Sequence, residues 1–312
     1  MWIRFARLNQ AIEDLSPTAS ITQIKKAWDL FDDKELIVSL LTLEYPMNNL
    51  GQKKASKWIS NFYDSFDDEV NTYADMYGDL GEGVYFFDES GDDSHLTMRQ
   101  VYTMLTRDCS RSTGDSYREF CSTFEEMSAL EKKWFIRYWV RKPRHGFGKG
   151  NMVKALAKIY DKKQKDVKKH CSFNTFMNIV SCYEAGETPS VELTVGVYVA
   201  PMLAKAVPKS KWPRNKLVEY KYDGARYQIH RDNDNIIIFN RKGVIVTHQF
   251  PDIVEKVASW EISPFIVDTE IYPINDDNSP GKFQLMNARF HSKDATEGVR
   301  KCPCALAIFD CL

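Results

Sequence analysis

The sequence predicts a multi-domain chain: an all-α N-terminal half, then an α+β half with antiparallel sheets. Three observations carry this. Apolar residues recur every three to four positions through about residue 185. Short runs rich in β-branched and aromatic residues then follow the Gly186-Glu187-Thr188-Pro189 breaker. The length, 312 residues, suits two domains of ordinary size. The boundary is placed near residue 190, giving domains 1–190 and 191–312.

In the first half, Trp2, Phe5, Leu8, Ile12 and Leu15 lie at helical spacing, and Ser16-Pro17 closes the run. Ile21, Ile24, Trp28 and Phe31 repeat the pattern, as do Leu36, Leu40 and Leu43 before Pro46. Trp58, Phe62 and Phe66 mark a further helix. Gly78 to Gly83, with the acidic stretch Asp88 to Asp93, reads as loop. His95 to Cys109 is helical, with Val101, Met104 and Leu105 on one side. Ser128-Ala129-Leu130-Glu131 has the form of a capping box, opening a helix with Trp134, Ile136 and Tyr138. Arg141 to Gly150 is a glycine-rich loop, and Asn151 is expected to cap the next helix. Ser172 to Tyr183 is the last.

Strands are expected at 216–222, 225–231, 235–240, 244–246, 264–271 and 305–309, with one amphipathic helix over Asp252 to Trp260.

Apolar residues make up 43% and charged residues 27%, enough for real cores. No apolar run is long enough to cross a bilayer, so no membrane partner is expected. Met1 to Gln10 has no long apolar stretch, so no secretory signal is expected. The seven cysteines lack paired CxxC spacing, and reduced structural thiols in a cytosol-like compartment are expected. The net charge of −1 decides nothing about partners, but its distribution does. Asn61 to Asp93 holds eleven Asp and Glu and no Lys or Arg. Glu131 to Lys169 holds fourteen Lys and Arg against three Asp and Glu, interleaved with Trp134, Phe135, Tyr138, Trp139, Phe147 and Tyr160. A disordered tail would lack that apolar material, so a folded basic face is expected, with a phosphate backbone as its natural partner.

Residues 219–226 read Glu-Tyr-Lys-Tyr-Asp-Gly-Ala-Arg. Asp223-Gly224 is a favoured two-residue hairpin turn, which would leave Lys221 at a strand end. A free lysine is protonated at neutral pH and becomes a nucleophile only through desolvation or nearby positive charge. Arg226 supplies such charge, and a divalent ion would add more. The same cations would neutralise the phosphates of a nucleotide, and attack of such an amine on a nucleotide phosphorus is phosphoryl-type transfer, governed by positioning and charge neutralisation.

With these residues the chain resembles the ATP-dependent DNA ligases of the covalent nucleotidyltransferase superfamily. Lys221 to Arg226 matches the motif whose lysine is adenylylated. Glu219 matches the residue that reads the adenine amino group. Phe239-Asn240-Arg241 resembles a Phe-Ser-Arg element whose arginine contacts the nucleotide, with Asn240 where serine is usual. Phe265 to Glu270 resembles the motif whose glutamate contacts ribose and helps hold metal. Ala307 to Leu312 resembles the motif whose aromatic residue, here Phe309, stacks on adenine. Pro201-Met202-Leu203-Ala204 matches the start of the same domain. The resemblance implies ATP, with AMP joined covalently to Lys221, and Mg²⁺ held with the help of Glu270.

The helical half resembles the DNA-binding domain of cellular and archaeal-type ligases. Gly78-Asp79-Leu80-Gly81, the Ser112 to Ser116 turn and Arg144-His145-Gly146-Phe147-Gly148-Lys149 carry the likeness. It implies contacts with nicked double-stranded DNA through Gly114, Ser116, Arg144, Gly146, Gly148 and Lys149. Glycine lets backbone N–H groups close on phosphates, and a helix N-terminus favours anions.

The resemblance further implies an incomplete adenylation domain. The family continues past the adenine-stacking motif with a second metal-linked glutamate, a pair of triphosphate-binding lysines and an OB-fold, all expected beyond Leu312. A shortened product, a split gene with a separate polypeptide supplying the C-terminal half, or a partial sequence each fits. The implied activity is nick sealing in replication, repair or recombination, in the cytoplasm of a prokaryotic or viral setting or in a eukaryotic nucleus. Two alternatives stand beside it. One is an RNA ligase or mRNA-capping guanylyltransferase, families that share the lysine motif but generally lack the helical domain. The other is a non-catalytic module that binds nicked DNA.

Overall fold

The helical spacing of the first half is met by helices packed on one central helix. The computed structural model describes residues 2–46, 51–64, 67–107, 109, 114–201, 208, 220–241, 243–292 and 294–312. The chain divides into two compact units: Met1–Cys171 with Thr175–Pro189, and Ser172–Asn174 with Ser190–Leu312. The first unit contains α1 (Trp2–Ile12), α2 (Pro17–Ala27), α3 (Lys34–Thr42), α4 (Gln52–Phe62), α5 (Asp67–Tyr77) and α6 (Leu80–Phe87). It continues with α7 (Met98–Thr106), α8 (Gly114–Glu125), α9 (Ala129–Trp139), α10 (Lys149–Ile159), α11 (Gln164–His170) and α12 (Phe176–Glu184).

Helix α9 is the centre, with Trp134, Phe135, Ile136, Tyr138 and Trp139 all wholly buried. Its first turn is the expected capping box. Glu131 accepts from the Ser128 N–H at 3.0 Å and from Ser94 N–H and Oγ at 2.9 and 2.6 Å. A helix buried all round cannot keep charges unless they are paired. Lys132 therefore meets Asp88 at 2.6 Å. Lys133 meets Glu13 and Glu82 at 2.9 and 2.7 Å, and Arg137 meets Glu82 and Asp79 at 2.8 and 3.1 Å. This corrects the expectation that the whole basic stretch forms an outer face. Three of its cations lie inside, neutralised by Asp79, Glu82 and Asp88 of the acidic stretch. The exposed part comprises Lys142 and Arg144 before α10, and Lys149, Lys154, Lys158, Lys162, Lys163, Lys165, Lys168 and Lys169 on and between α10 and α11.

Other readings also shift. Residues expected as loop from Gly78 form α6, because the Asp79 side chain accepts the Glu82 N–H at 3.0 Å and starts a helix. Helix α10 begins at Lys149 with Gly148 as its N-cap, so Asn151 is inside it. Ser16-Pro17 opens α2: Ser16 Oγ accepts from Ala19 N–H at 3.4 Å, and Pro17 takes the first helical position. Helices α5, α8 and α11 lay outside the apolar pattern.

The second unit contains β1 (Ala225–Asp232), β2 (Asn235–Asn240), α13 (Pro251–Ala258), β3 (Phe265–Pro273), α14 (Asn287–His291), α15 (Ala295–Lys301) and β4 (Cys304–Cys311). The strands form one sheet in the order β2-β1-β3-β4, with every neighbouring pair antiparallel. One face is apolar: Tyr227, Ile229, Ile238, Val267 and Ile271 pack with Phe250, Ile253, Val257 and Met286. The other face is polar, because Arg226, Gln228 and His230 alternate with those core residues on β1. Opposite them on β3 stand Glu270, Asp268 and Ile266. The run at 244–246 is reduced to a single bridge, Phe239 with Ile245. Of the strand expected at 216–222, residues 216–219 lie outside the described ones, and Tyr220 to Tyr222 are not strand.

No helix among the described residues is long and apolar enough to cross a membrane. All seven cysteines are free.

Candidate functional site

Lys221 is exposed and stands in the irregular segment leading into β1, not at the strand end expected. No hairpin forms at Asp223-Gly224 among the described residues; the segment is pinned to β3 instead. The Tyr222 ring stacks on Tyr272 with centroids 4.5 Å apart, and Tyr220 packs against Tyr222 at 4.8 Å. Asp223 Oδ2 accepts the Phe283 N–H at 3.2 Å. At Gly224 a Cβ would lie 2.3 Å from the Ile271 carbonyl oxygen, so only glycine passes there.

The polar sheet face gathers the remaining groups. Burial pushes the Glu270 carboxyl up from its ordinary pKa; the attraction of Lys221, the Gly224 N–H and Arg226 opposes this, and Asp223 adds to it. Arg226 Nη2 lies 2.5 Å from Asp268 Oδ2, and its guanidinium carbon lies 5.2 Å from the Phe309 ring centre. Phe309 is the extra residue of a β-bulge: Thr269 pairs with Ile308, whereas the preceding Asp268 pairs with Asp310. The ring remains 48% exposed.

Arg241 lies further along the face. Its side chain is exposed, and its carbonyl accepts the Tyr198 hydroxyl at 2.7 Å. Tyr198, Pro201, Arg226, Gln228, Arg241 and Asp268 wall a narrow cleft. The structure thus brings Lys221, Glu270, Arg226 and Phe309 to one end of the face, and Arg241 to the cleft that also contains Arg226. Glu219, like Met202, Leu203 and Ala204, lies outside the described residues. Gln228, His230 and Tyr198 were not singled out by sequence. The signal available for the first two was a polar period of two, Arg226-Gln228-His230, inside an otherwise apolar strand.

Among the described residues no group of three or more His, Cys, Asp or Glu side chains is placed to hold a metal. Magnesium usually takes one or two carboxylates together with substrate phosphates. Glu270 fits such a role, since a cation would favour its ionised form against burial.

In the first unit Arg144 Nε pairs with Asp79 at 2.9 Å, and Nη2 donates to the Gly78 carbonyl. Gly146 adopts a positive φ of 64° with open space around it. Gly148 and Lys149 open α10, and the Lys149 ammonium meets Glu44 at 2.7 Å. Arg144, Gly146 and Asn151 line an open cavity of about 250 Å³ with Glu13, Asp14 and His145. Gly114 is exposed at the start of α8, whereas Ser116 is buried. Ser112 and Thr113 lie outside the described residues.

An all-helical unit followed by an antiparallel sheet with this lysine motif is the architecture expected of a covalent nucleotidyltransferase that handles nucleic acid. The family described as "DNA ligase N terminus" matches residues 2–157, and that described as "ATP dependent DNA ligase domain" matches residues 201–312. The chain belongs to the ATP-dependent DNA ligase family. It is 26% identical over 299 residues to a DNA ligase of Saccharolobus solfataricus, covering 86% of this chain and 50% of the relative. It is 26% identical over 300 residues to a DNA ligase of Acidianus ambivalens, with the same coverage of 86% and 50%. The chain therefore spans about half the length of the curated relatives it matches. A solved structure titled Pmar-Lig_Pre. shares the fold, with a TM-score of 0.51 at 15% identity over 99% of this chain and 57% of that one.

Proposed function

We propose that the protein carries out the lysine-adenylylation chemistry of a DNA ligase, with Lys221 as nucleophile, ATP as substrate and nicked duplex DNA as acceptor. One observation carries the reading: Lys221, Glu270, Arg226 and Phe309 converge on one polar sheet face. The Lys221 amine, once deprotonated, attacks the α-phosphorus of ATP. The N–P bond forms as the P–O bond to pyrophosphate breaks, and the amine's proton passes to solvent. A 5′-phosphate oxygen of the nick then displaces the lysine, and the 3′-hydroxyl next displaces AMP to close the backbone. Phe309 offers a half-exposed ring for the adenine, Glu270 an acceptor for the ribose, and Arg226 and Arg241 positive charge for the phosphates. Magnesium, held by Glu270 with the nucleotide phosphates, would supply further charge neutralisation.

The DNA would meet the first unit through the loop at Arg144 to Lys149 and the exposed lysines of α10 and α11. The match of residues 2–157 to the DNA ligase N terminus supports ligation over capping or RNA ligation. The test is incubation with ATP labelled at the α-phosphate. Covalent label on the wild-type protein and none on Lys221→Ala is the expected result. Label on Lys221→Ala, or label from GTP in preference to ATP, would overturn the assignment.

A further inference from the structure

The polar face of the sheet carries a chain of hydrogen bonds that no step above uses. The Gly196 N–H donates to His230 Nδ1 at 2.9 Å. With Nδ1 accepting, the neutral ring carries its proton on Nε2, which faces Gln228 Oε1 at 2.9 Å. That same oxygen accepts the Val199 N–H at 2.9 Å. The amide nitrogen of Gln228 is thereby turned to donate to the Val199 carbonyl at 3.2 Å and to Asp268 Oδ1 at 3.4 Å. The other oxygen of Asp268 holds Arg226 at 2.5 Å, and Arg226 lies against Phe309. His230, Gln228 and Asp268 are 0%, 2% and 4% exposed. On the same face β2 places apolar Phe239 and Ile237 opposite Gln228 and His230. Apolar side chains therefore suit this layer, and the polar pair on β1 calls for a further role.

We propose that Gln228 and His230 are positioning residues, which act through Asp268 to hold Arg226 against Phe309 and clamp Gly196–Val199 to the sheet. The proposal rests on the reading of this face as the nucleotide site. The tautomer of His230 sets which way the Gln228 amide points. That orientation decides whether Asp268 receives a donor or faces a second oxygen. Asp268 fixed on one side can hold Arg226 on the other.

The test compares the full chain with Gln228→Met, His230→Met and His230→Gln, the last retaining a donor near the Nε2 position. Three quantities are read: the rate and ATP dependence of labelling at Lys221, the melting temperature, and the nitrogen NMR signals of His230 and the Arg226 guanidinium. The wild type is expected to show the Nε2–H form of His230 and a restrained guanidinium. Gln228→Met and His230→Met, while folded, are expected to free the guanidinium and slow labelling at saturating ATP by roughly tenfold or more. His230→Gln is expected to recover most of the rate. Folded Met variants that label at the wild-type rate would overturn the proposal. So would losses that track the unfolded fraction alone, with Arg226 signals unchanged. If the wild type takes no label at Lys221, the functional reading fails. The Arg226 signal in Gln228→Met then decides the positioning claim: unchanged, it is overturned; freed, it stands.

Discussion

The guanidinium of Arg226 lies against the ring of Phe309 because β4 carries one more residue than β3 across the Asp268–Thr269 step. In a regular ladder the residue after Ile308 would stand opposite Asp268. The bulge puts Asp310 there and leaves Phe309 free to turn over Arg226. The ring is half exposed, so it contributes little to stability and is open to a planar ligand. Phe309→Ala is expected to raise the KM for ATP in Lys221 labelling by about tenfold, equivalent to ~1.4 kcal/mol of stacking and burial. Phe309→Trp should keep it near the wild-type value. A KM unchanged in Phe309→Ala would remove the ring from the nucleotide site.

Gly224 is a second point where backbone geometry governs the chemistry. An added Cβ would meet the Ile271 carbonyl oxygen at 2.3 Å and the Tyr272 side chain at 2.8 Å. Neither the strand backbone nor the stacked Tyr272 can give way cheaply. Gly224→Ala is expected to destabilise the second unit by about 2 kcal/mol or more and to shift the backbone that favours the ionised Glu270. Denaturant unfolding followed through the second unit's tyrosines, together with Lys221 labelling, checks both. A variant with wild-type stability would show that the approach to β3 is looser than described.

Much of this arrangement was legible in the sequence, and the failures have physical causes. The strand of Arg226, the strand of Glu270 and the capping box at Ser128 follow from local rules of alternation and hydrogen bonding. Helix α5 was missed because Asp67-Asp68-Glu69 and Asp75 hide its short apolar pattern, and α6 because its glycines read as loop. Gly81 and Gly83 serve close packing instead: an added Cβ would lie 2.6 Å from the Lys133 carbonyl and 2.8 Å from the Ala74 nitrogen. The internal fate of Lys132, Lys133 and Arg137 was illegible because their partners, such as Asp88 and Glu82, are more than forty residues away in sequence. The Phe309 bulge leaves no trace in composition at all.

His145 makes stability depend on pH. It is buried, with Nδ1 accepting the Phe147 N–H at 3.0 Å and Nε2 facing the Tyr138 hydroxyl at 2.9 Å. Burial, then the Arg137 charge, pushes its pKa down to about 4, against a smaller upward pull from Glu13. In the unfolded chain it returns to about 6.5. Between those values the unfolded state takes up a proton that the folded state refuses, so stability present above pH 6.5 is lost as pH falls toward 4. The expected loss between pH 7 and pH 5 is about 2 kcal/mol. Denaturant unfolding of the first unit at the two pH values measures it, and His145→Gln should flatten the difference. The carboxylates of Glu13 and Asp88, held below their ordinary range despite burial by cationic partners and hydrogen bonds, lose their contribution only at lower pH. An equal slope in His145→Gln would assign the effect elsewhere.

The division of the basic stretch into buried and exposed cations separates two kinds of mutant. Lys162, Lys165 and Lys169 are exposed near α11 and make no ion pair with a carboxylate among the described residues. Each counterion released on binding contributes about 0.9 to the slope of log affinity against log salt. Replacing all three with alanine is therefore expected to leave stability within about 0.5 kcal/mol, while lowering that slope for duplex DNA by up to roughly 2 to 3. Lys133 behaves oppositely. It is wholly buried between Glu13 and Glu82, so Lys133→Ala leaves Arg137 alone to neutralise both carboxylates and should cost about 3 kcal/mol of stability. DNA binding by its folded fraction should keep the wild-type salt slope. Titrations at several salt concentrations, paired with unfolding curves, give both quantities. A wild-type slope in the triple variant would move the DNA interface off α11.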